Sequence, residues 1–319
     1  MAITADHGTA RTRLSVLTYN VEGLGWPART GRAAKLREIG TRLAALREAG
    51  AAPDIVLFQE VFSGAAQRAV HRSGYPAMIP GPGRTTRASA DAPAAPLPGK
   101  PKLKRGELGL HLVGSGLVTA SRYPITFTTR RAFGPRACAG IDCLSNKGVV
   151  LARVYVPGLP APLDIYNTHM NSQAASRAPE ARRIAAHERQ TSAIAAFVGR
   201  TRDHAGAAIL AGDFNMKHSD SRWEHFSRSL QLKLVHRICA TPAGQCDVRM
   251  SWDGDEPWKD TQDLQFFQSG RGVTIRPIKV EALFDGGPSG PALSDHDGFL
   301  VTYELSWRVT QPSARCAAD

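Results

Sequence analysis

Gly212-Asp213-Phe214-Asn215 and Ser294-Asp295-His296 decide the reading of this chain. The first follows the apolar run Ala207 to Ala211 and the second precedes Phe299-Leu300-Val301, so each sets an acid beside another polar group where a strand is expected to end or begin. A single acid in such a place is ordinarily a turn or helix cap. Three further segments share the pattern: Leu17-Thr18-Tyr19-Asn20, Leu57-Phe58-Gln59-Glu60-Val61 and Tyr166-Asn167-Thr168-His169. Together they offer hard oxygen donors and imidazoles, the combination that metal-assisted attack of water on phosphorus requires.

Residue by residue, the chemistry divides. Glu60 emerges from the apolar run Ile55-Val56-Leu57-Phe58, and a lone carboxylate there must be solvated, paired or bound to a cation. Asn20 ends the first run and is expected to reach the same ion or a phosphate oxygen. Asp213 and Asn215 lie two apart, so an extended backbone points both the same way, with Phe214 buried behind. Their carboxylate suits a water to be oriented, and their amide suits a phosphoryl oxygen. His296 is the expected base for that water, with Asp295 either holding metal or orienting the imidazole.

The order and wording of these segments resemble the endonuclease/exonuclease/phosphatase superfamily, whose members hydrolyse phosphoester bonds with Mg²⁺; the resemblance runs from about Leu14 to Leu305. Two segments, Asp142-Cys143-Leu144-Ser145-Asn146-Lys147-Gly148-Val149 and Gly116-Leu117-Val118-Thr119-Ala120-Ser121-Arg122-Tyr123-Pro124-Ile125, are worded like the neutral, C-type sphingomyelinase branch. The resemblance implies an α+β fold, a four-layered α/β/β/α sandwich of two mostly antiparallel sheets flanked by helices, with the site at one end. It implies Mg²⁺ (or Mn²⁺, Co²⁺ or Ca²⁺) on Glu60, Asn20 and Asp295. It further implies that His169 acts on the phosphate, that Asp263 orients the catalytic histidine, and that Asp142 positions Lys147 against a single phosphodiester charge. Asn171 and Arg122 are expected to touch substrate. Asp263 departs from the family wording, because Leu264 follows it where an aromatic residue or His is usual.

The chain of 319 residues, 42% hydrophobic and 21% charged, has material for a sizeable core. A net charge of +12 favours anionic partners: nucleic acid or a lipid surface. No run approaches the roughly 18 apolar residues of a membrane span. Met1 to Arg13 lacks the apolar core of a signal peptide. Either the protein is cytoplasmic or its leader has been removed; two local disulfides would suit the second, so the expectation is a periplasmic or secreted protein, with a cytoplasmic location as the alternative. Of the five cysteines, Cys138 with Cys143 and Cys239 with Cys246 form two close pairs, either local disulfides or buried thiols, and Cys316 is left over. Neither spacing is a zinc signature.

Apolar runs predict strands near 14–20, 54–59, 115–121, 125–131, 147–156, 163–168, 207–212, 263–268, 273–283 and 298–306. Leu36, Ile39, Leu43 and Leu46 mark one helix, and 180–199 a longer one in which His187 serves packing. The organisation read from this is a tail over 1–13, one catalytic domain over 14–306 and a tail over 307–319. Pro80 to Arg105, rich in Pro, Gly and Ala and ending in Lys100-Pro101-Lys102-Leu103-Lys104-Arg105, reads as an exposed basic loop.

The leading expectation is a monomeric Mg²⁺-dependent phosphodiesterase acting on a phospholipid at a membrane surface, releasing phosphocholine from sphingomyelin or a similar lipid. A nuclease on the same scaffold is the alternative, and a catalytically silent binding scaffold is disfavoured by the intact acids and histidines. No obligate protein partner is expected. Trp252 and Trp258 are the candidate aromatic residues for a membrane-dipping hairpin, although Asp253, Asp255 and Glu256 between them oppose insertion.

Overall fold

A computed structural model describes residues 3–6, 8–25, 29–88, 95–134, 136–251, 256–287 and 291–309. The strands of the first half are β1 (Thr4–Asp6), β2 (Thr9–Asn20), β3 (Ile55–Gln59), β4 (Ala77–Pro80), β5 (Val118–Ser121), β6 (Ile125–Ala132) and β7 (Gly148–Val154). Those of the second are β8 (Leu163–His169), β9 (Ala208–Asp213), β10 (Lys233–Leu234), β11 (Asp247–Arg249), β12 (Asp263–Gln268), β13 (Thr274–Leu283) and β14 (Gly298–Arg308). The helices are α1 (Arg32–Glu48), α2 (Gly64–Arg72), α3 (Glu180–Thr201), α4 (Asp220–Ser229) and α5 (Val235–Cys239).

Side chains alternate across a strand, so a continuous apolar run serves two cores at once. In β3, Ile55 and Leu57 face the space between the sheets, while Val56 and Phe58 face α1 and α2. In β9, Ile209 and Ala211 face the middle, while Ala208 and Leu210 face the α3–α4 side. The outcome is two sheets face to face with helices outside, the α/β/β/α sandwich expected from the sequence. One sheet has the order β11-β13-β14-β2-β3-β5-β4 with β1 on β2, and the other β10-β12-β9-β8-β7-β6. Pairing is antiparallel except for β2 with β3, β8 with β9 and β11 with β13. Gly40 lets α1 and α2 touch, since a Cβ there would lie 2.5 Å from the Ala69 carbonyl oxygen.

The middle layer also carries polar groups that join the sheets. Gln59 Nε2 donates to Asn167 Oδ1 at 2.9 Å and to Thr18 Oγ1 at 3.1 Å. Gln265 Nε2 donates across to the carbonyls of Val16 and Phe299.

Register explains where chemistry can gather. The parallel pairs β2/β3 and β8/β9 end on one rim, and the antiparallel β7, β12 and β14 begin there. That rim receives Asn20, Glu60, His169 and Asp213 from strand ends, and Lys147, Asp263 and His296 from strand starts.

Several expectations need correction. Residues 9–13, expected as tail, are the first half of β2, because Ala10, Thr12 and Leu14 turn inward while Arg11 and Arg13 turn out. The 80–105 segment is not exposed throughout: Leu97 is buried, and Arg182 from α3 donates to the carbonyls of Leu97, Pro98 and Gly99. Trp258 is buried beneath the Arg237 guanidinium, 4.9 Å away, and has no membrane-facing surface. Trp252 and Cys316 lie outside the described residues. Cys138–Cys143 and Cys239–Cys246 are both disulfide-bonded. Among the described residues, no helix is long and apolar enough to cross a membrane.

Candidate active site

Two turns on the rim hold their residues in left-handed backbone. Glu60 has φ 59° and Asn215 φ 52°, conformations that cost a non-glycine residue about 1 kcal/mol or more and persist only where the surroundings fix them. Between β8 and β9 the strands approach so closely that a Cβ on Gly212 would sit 1.9 Å from the Thr168 carbonyl oxygen. Glycine is therefore required immediately before Asp213.

The side chains converge on one cavity of about 810 Å³, whose wall includes Glu60, Lys147, His169, Asp213, Asn215, Asp295 and His296. Asn20, itself buried, stands at its floor: Nδ2 donates to Glu60 Oε1 at 3.2 Å and to Asp213 Oδ2 at 3.1 Å. On the opposite wall His169 Nε2 lies 3.3 Å from Asp213 Oδ2 and 3.0 Å from Lys147 Nζ. Lys147 is nearly buried, pairing with Asp142 Oδ1 at 3.3 Å and donating to the Met170 carbonyl at 2.9 Å. Asp142 Oδ2 in turn accepts from the Ser172 amide, and the Cys138–Cys143 disulfide closes the turn that carries Asp142. His296 is held from behind by Asp263, with Nδ1 2.5 Å from Oδ2, and turns Nε2 toward Asp213 Oδ2, 4.0 Å away.

Electrostatics follow from this crowding. Burial, with the Asp263 and Glu60 charges adding and His296 and Lys147 opposing, pushes the Asp213 carboxyl up to about 7. Burial raises Glu60 as well, though Lys147 and the Asn20 hydrogen bond work against it. His169 is held well below the ordinary imidazole range by burial and then by Lys147, so it is a neutral group. Burial works to lower His296, but Asp263, Asp213 and Asp295 outweigh it and push the imidazole up to about 11. A site that strains to carry its negative charges is one that a cation relieves.

The donors suit a hard divalent ion. Glu60 and Asp295 offer carboxylate oxygens, Asn20 braces Glu60 through its Nδ2, Asp295 is half exposed, and the wall leaves room for water. Among the described residues no group of three or more His, Cys, Asp or Glu is disposed around a single point for an ion.

Of the residues singled out in the sequence, Asn20, Glu60, Asp142, Lys147, His169, Asp213, Asn215, Asp263, Asp295 and His296 are brought together. Two are not. Arg122 follows β5, which runs antiparallel to β3, so it lies on the opposite rim, 2.9 Å from Asp54 Oδ1. Asn171 is fully buried; its amide accepts from Ala139 N at 2.8 Å and donates to the Ser172 carbonyl at 2.9 Å, bracing the wall from outside.

Other contributors were not visible in the sequence. Arg222, almost fully buried in α4, donates to the carbonyls of Asn171 and Asn215 at 2.8 and 2.7 Å. His187 in α3 donates from Nε2 to the Phe214 carbonyl at 2.9 Å, so it holds the Asp213 turn as well as packing. Glu22, Arg29, Lys217 and His218 line the cavity mouth. Nothing in their spacing signals this, since each sits in a turn whose path only the fold defines.

The endonuclease/exonuclease/phosphatase family model matches residues 17–296. In three dimensions the chain is similar to a double mutant of β toxin from Staphylococcus aureus with bound magnesium ions, at TM-score 0.61 and 18% identity over 93% of this chain and 100% of that one. It is similar to sphingomyelinase C from Streptomyces griseocarneus, at TM-score 0.58 and 20% identity over 91% and 99%. It is equally similar to TDP2 from D. rerio complexed with a single-strand DNA product, at TM-score 0.60 and 16% identity over 92% and 99%. At such identities the likeness is one of fold. No curated protein matches the chain. The chain belongs to the endonuclease/exonuclease/phosphatase family.

Proposed function

We propose that this member of the endonuclease/exonuclease/phosphatase family is a Mg²⁺-dependent phosphodiesterase that cleaves the head-group phosphodiester of a phospholipid, sphingomyelin to ceramide and phosphocholine in the first instance. The observation that carries the reading is Lys147: one nearly buried ammonium, fixed by Asp142 and the Met170 carbonyl, pointing at the cavity beside His169. A single held cation suits the single charge of a lipid phosphodiester.

Mg²⁺ held by Glu60 and Asp295, with Asn20 bracing Glu60, would supply Lewis-acid neutralisation of charge on a non-bridging oxygen. Lys147 meets the second such oxygen. The Asn215 amide offers a hydrogen bond where charge grows during attack, and neutral His169, accepting from Lys147 at Nε2, holds that ammonium at the cavity. The attacking water is oriented by Asp213, whose carboxylate takes its proton, and the His296 imidazolium, with Nε2 4.0 Å from Asp213 Oδ2, gives a proton to the departing ceramide oxygen. Asp263 on Nδ1 keeps Nε2 turned to the cavity. Two disulfides support placement in the periplasm or outside the cell.

A nuclease reading draws support from the net charge of +12 and from Arg29, Arg177 and Lys217 at the cavity wall. The two separate in one experiment: phosphocholine release from sphingomyelin vesicles and nicking of a plasmid, each with Mg²⁺ and with EDTA, across a salt series. The lipid reading expects phosphocholine release with little salt dependence, lost on Lys147→Ala. Plasmid nicking that falls steeply with salt, without phosphocholine from any lipid, would sink it.

A further inference from the structure

Four leucines beside the active-site mouth face solvent. Leu103, Leu108, Leu110 and Leu112 are 57–67% exposed, within ten residues of one another, and Ile141 at the cavity wall is 38% exposed. Isolated exposed leucines are ordinary in soluble proteins, but four within ten residues of one segment concentrate apolar surface there, which marks an interaction surface. Here the patch cannot be dismissed as slack chain, because its root is built of buried polar contacts. Glu107 is buried; Oε1 accepts from Gly140 N at 2.7 Å and Arg182 Nε at 2.9 Å, and Oε2 accepts from Lys102 N. His111 Nδ1 donates to the Cys143 carbonyl at 2.8 Å, and Leu112 N to the Leu144 carbonyl at 2.7 Å. Gly106 lies so close to the same turn that a Cβ would be 2.8 Å from the Cys143 carbonyl oxygen. The segment is thus fastened to residues 140–144, the turn that supplies Ile141 and Asp142 to the cavity, and it presents its leucines outward.

Charge selects the occupant. Lys100, Lys102 and Lys104 are exposed around the leucines, and Arg105 donates to the Arg177 carbonyl at the cavity wall. A second copy of a chain carrying +12 would bring like-charged rims together, which is unfavourable. A bilayer offers hydrocarbon to the leucines and anionic head groups to the lysines at once, the pairing by which apolar and basic side chains seat a protein at an interface.

We propose that residues 100–112 form a membrane-docking loop, in which the leucines enter the outer layer of a bilayer containing anionic lipid, the lysines meet its head groups, and the cavity mouth is thereby set against the surface. The loop's purpose rests on the lipid reading of the active site; its existence does not, because docking is measured without turnover. The test is co-sedimentation of the full chain with vesicles of phosphatidylcholine, with and without about 30 mol% phosphatidylglycerol, in EDTA. Wild type is expected to bind the anionic vesicles. Combined Leu103→Ser, Leu108→Ser and Leu110→Ser should weaken binding by about tenfold or more. Combined Lys100→Ala, Lys102→Ala and Lys104→Ala should remove the preference for phosphatidylglycerol. The serine variant should hydrolyse soluble bis(p-nitrophenyl) phosphate as wild type does, since none of the three leucines lines the cavity. Should that variant fail to fold, Leu110→Trp supplies a second measurement: its fluorescence should shift to the blue on adding anionic vesicles. Absence of vesicle binding by wild type, equal binding by the serine variant, or an unshifted tryptophan overturns the proposal. So does a wild-type dimer in sedimentation velocity that the serine substitutions dissolve, which assigns the patch to a second copy. Vesicle binding without release of any lipid head group would leave the loop standing and overturn the substrate reading instead.

Discussion

Replacing Asp263 with Asn changes one charge and almost no volume, which makes it a sharp probe of the site. The carboxylate lies 2.5 Å from His296 Nδ1 and is 4% exposed, and its backbone pairs with Asp213 in β12–β9, so the fold has no reason to change. A hydrogen bond to an ionised partner is stronger than a neutral one by about 1–2 kcal/mol. At about 1.36 kcal/mol per decade, that alone lowers kcat by roughly 5- to 30-fold. Asp263→Asn also removes the largest of the charges that hold His296 up near 11, so the alkaline limb of the pH–rate profile should move down. KM should hold, since Asp263 does not line the cavity. Steady-state kinetics on a soluble phosphodiester measure both constants, and urea melts confirm the fold. Adding His296→Ala to Asp263→Asn should cost no more than His296→Ala alone, because the acid acts through the imidazole. A kcat within about threefold of wild type would show that the contact does not serve the chemistry.

Three further outcomes follow from the same geometry. Mg²⁺ should raise the melting temperature of wild type and not of Glu60→Gln, while the apo variant should melt no lower, since burial already disfavours the Glu60 charge; an equal Mg²⁺ shift in both would remove Glu60 from the metal site. Cys138→Ser with Cys143→Ser should lower activity about as much as Asp142→Ala, because the disulfide closes the turn that positions Lys147. Loss of Cys239–Cys246 should instead reduce stability, by about 2–3 kcal/mol for so short a loop, with activity intact. Burial holds His187 well below the ordinary range and pushes His236 down to about 3, so the unfolded chain binds protons below pH ~6.5 that the native state refuses. Stability from these groups is complete above that pH and falls below it by up to ~1.4 kcal/mol per pH unit each, so His236→Gln should flatten the decline measured by urea melts between pH 7 and 5; an unchanged slope would contradict a neutral native His236.

What the sequence disclosed, and what it hid, has a physical pattern. Nine strands of five residues or more, and the four-residue β5 between β3 and β4, were legible as runs of apolar and β-branched residues, but β1, β4, β10 and β11 are two to four residues long at sheet edges and bury too little to leave a signal. Helices α2, α4 and α5 were missed because they are short, and Ala, Ser and charged residues dilute their apolar faces. Site residues at strand ends were found because rim chemistry interrupts an apolar run. The departure at Leu264 proves harmless: alternation turns it into the outer core while Asp263 faces His296. Arg122 misled because adjacency to a family-like segment says nothing about which end of a strand faces the site. Arg222 was invisible because a buried arginine that holds carbonyls looks, in sequence, like any polar position on a surface helix.

The bond between Gln59 and Asn167 has a consequence for anyone who redesigns this scaffold. Half of the rim belongs to one sheet and half to the other, so alignment of Glu60 with Asp213 depends on how the sheets sit, and apolar surfaces alone permit sliding. Gln59 precedes Glu60 and Asn167 stands two residues before His169, which makes their amides a gauge block set directly beneath the working edge. Exchanging both for leucines of suitable shape would tend to strengthen the middle layer. It would also let the halves settle at any register the hydrocarbon tolerates, giving a sturdier protein whose two jaws no longer meet.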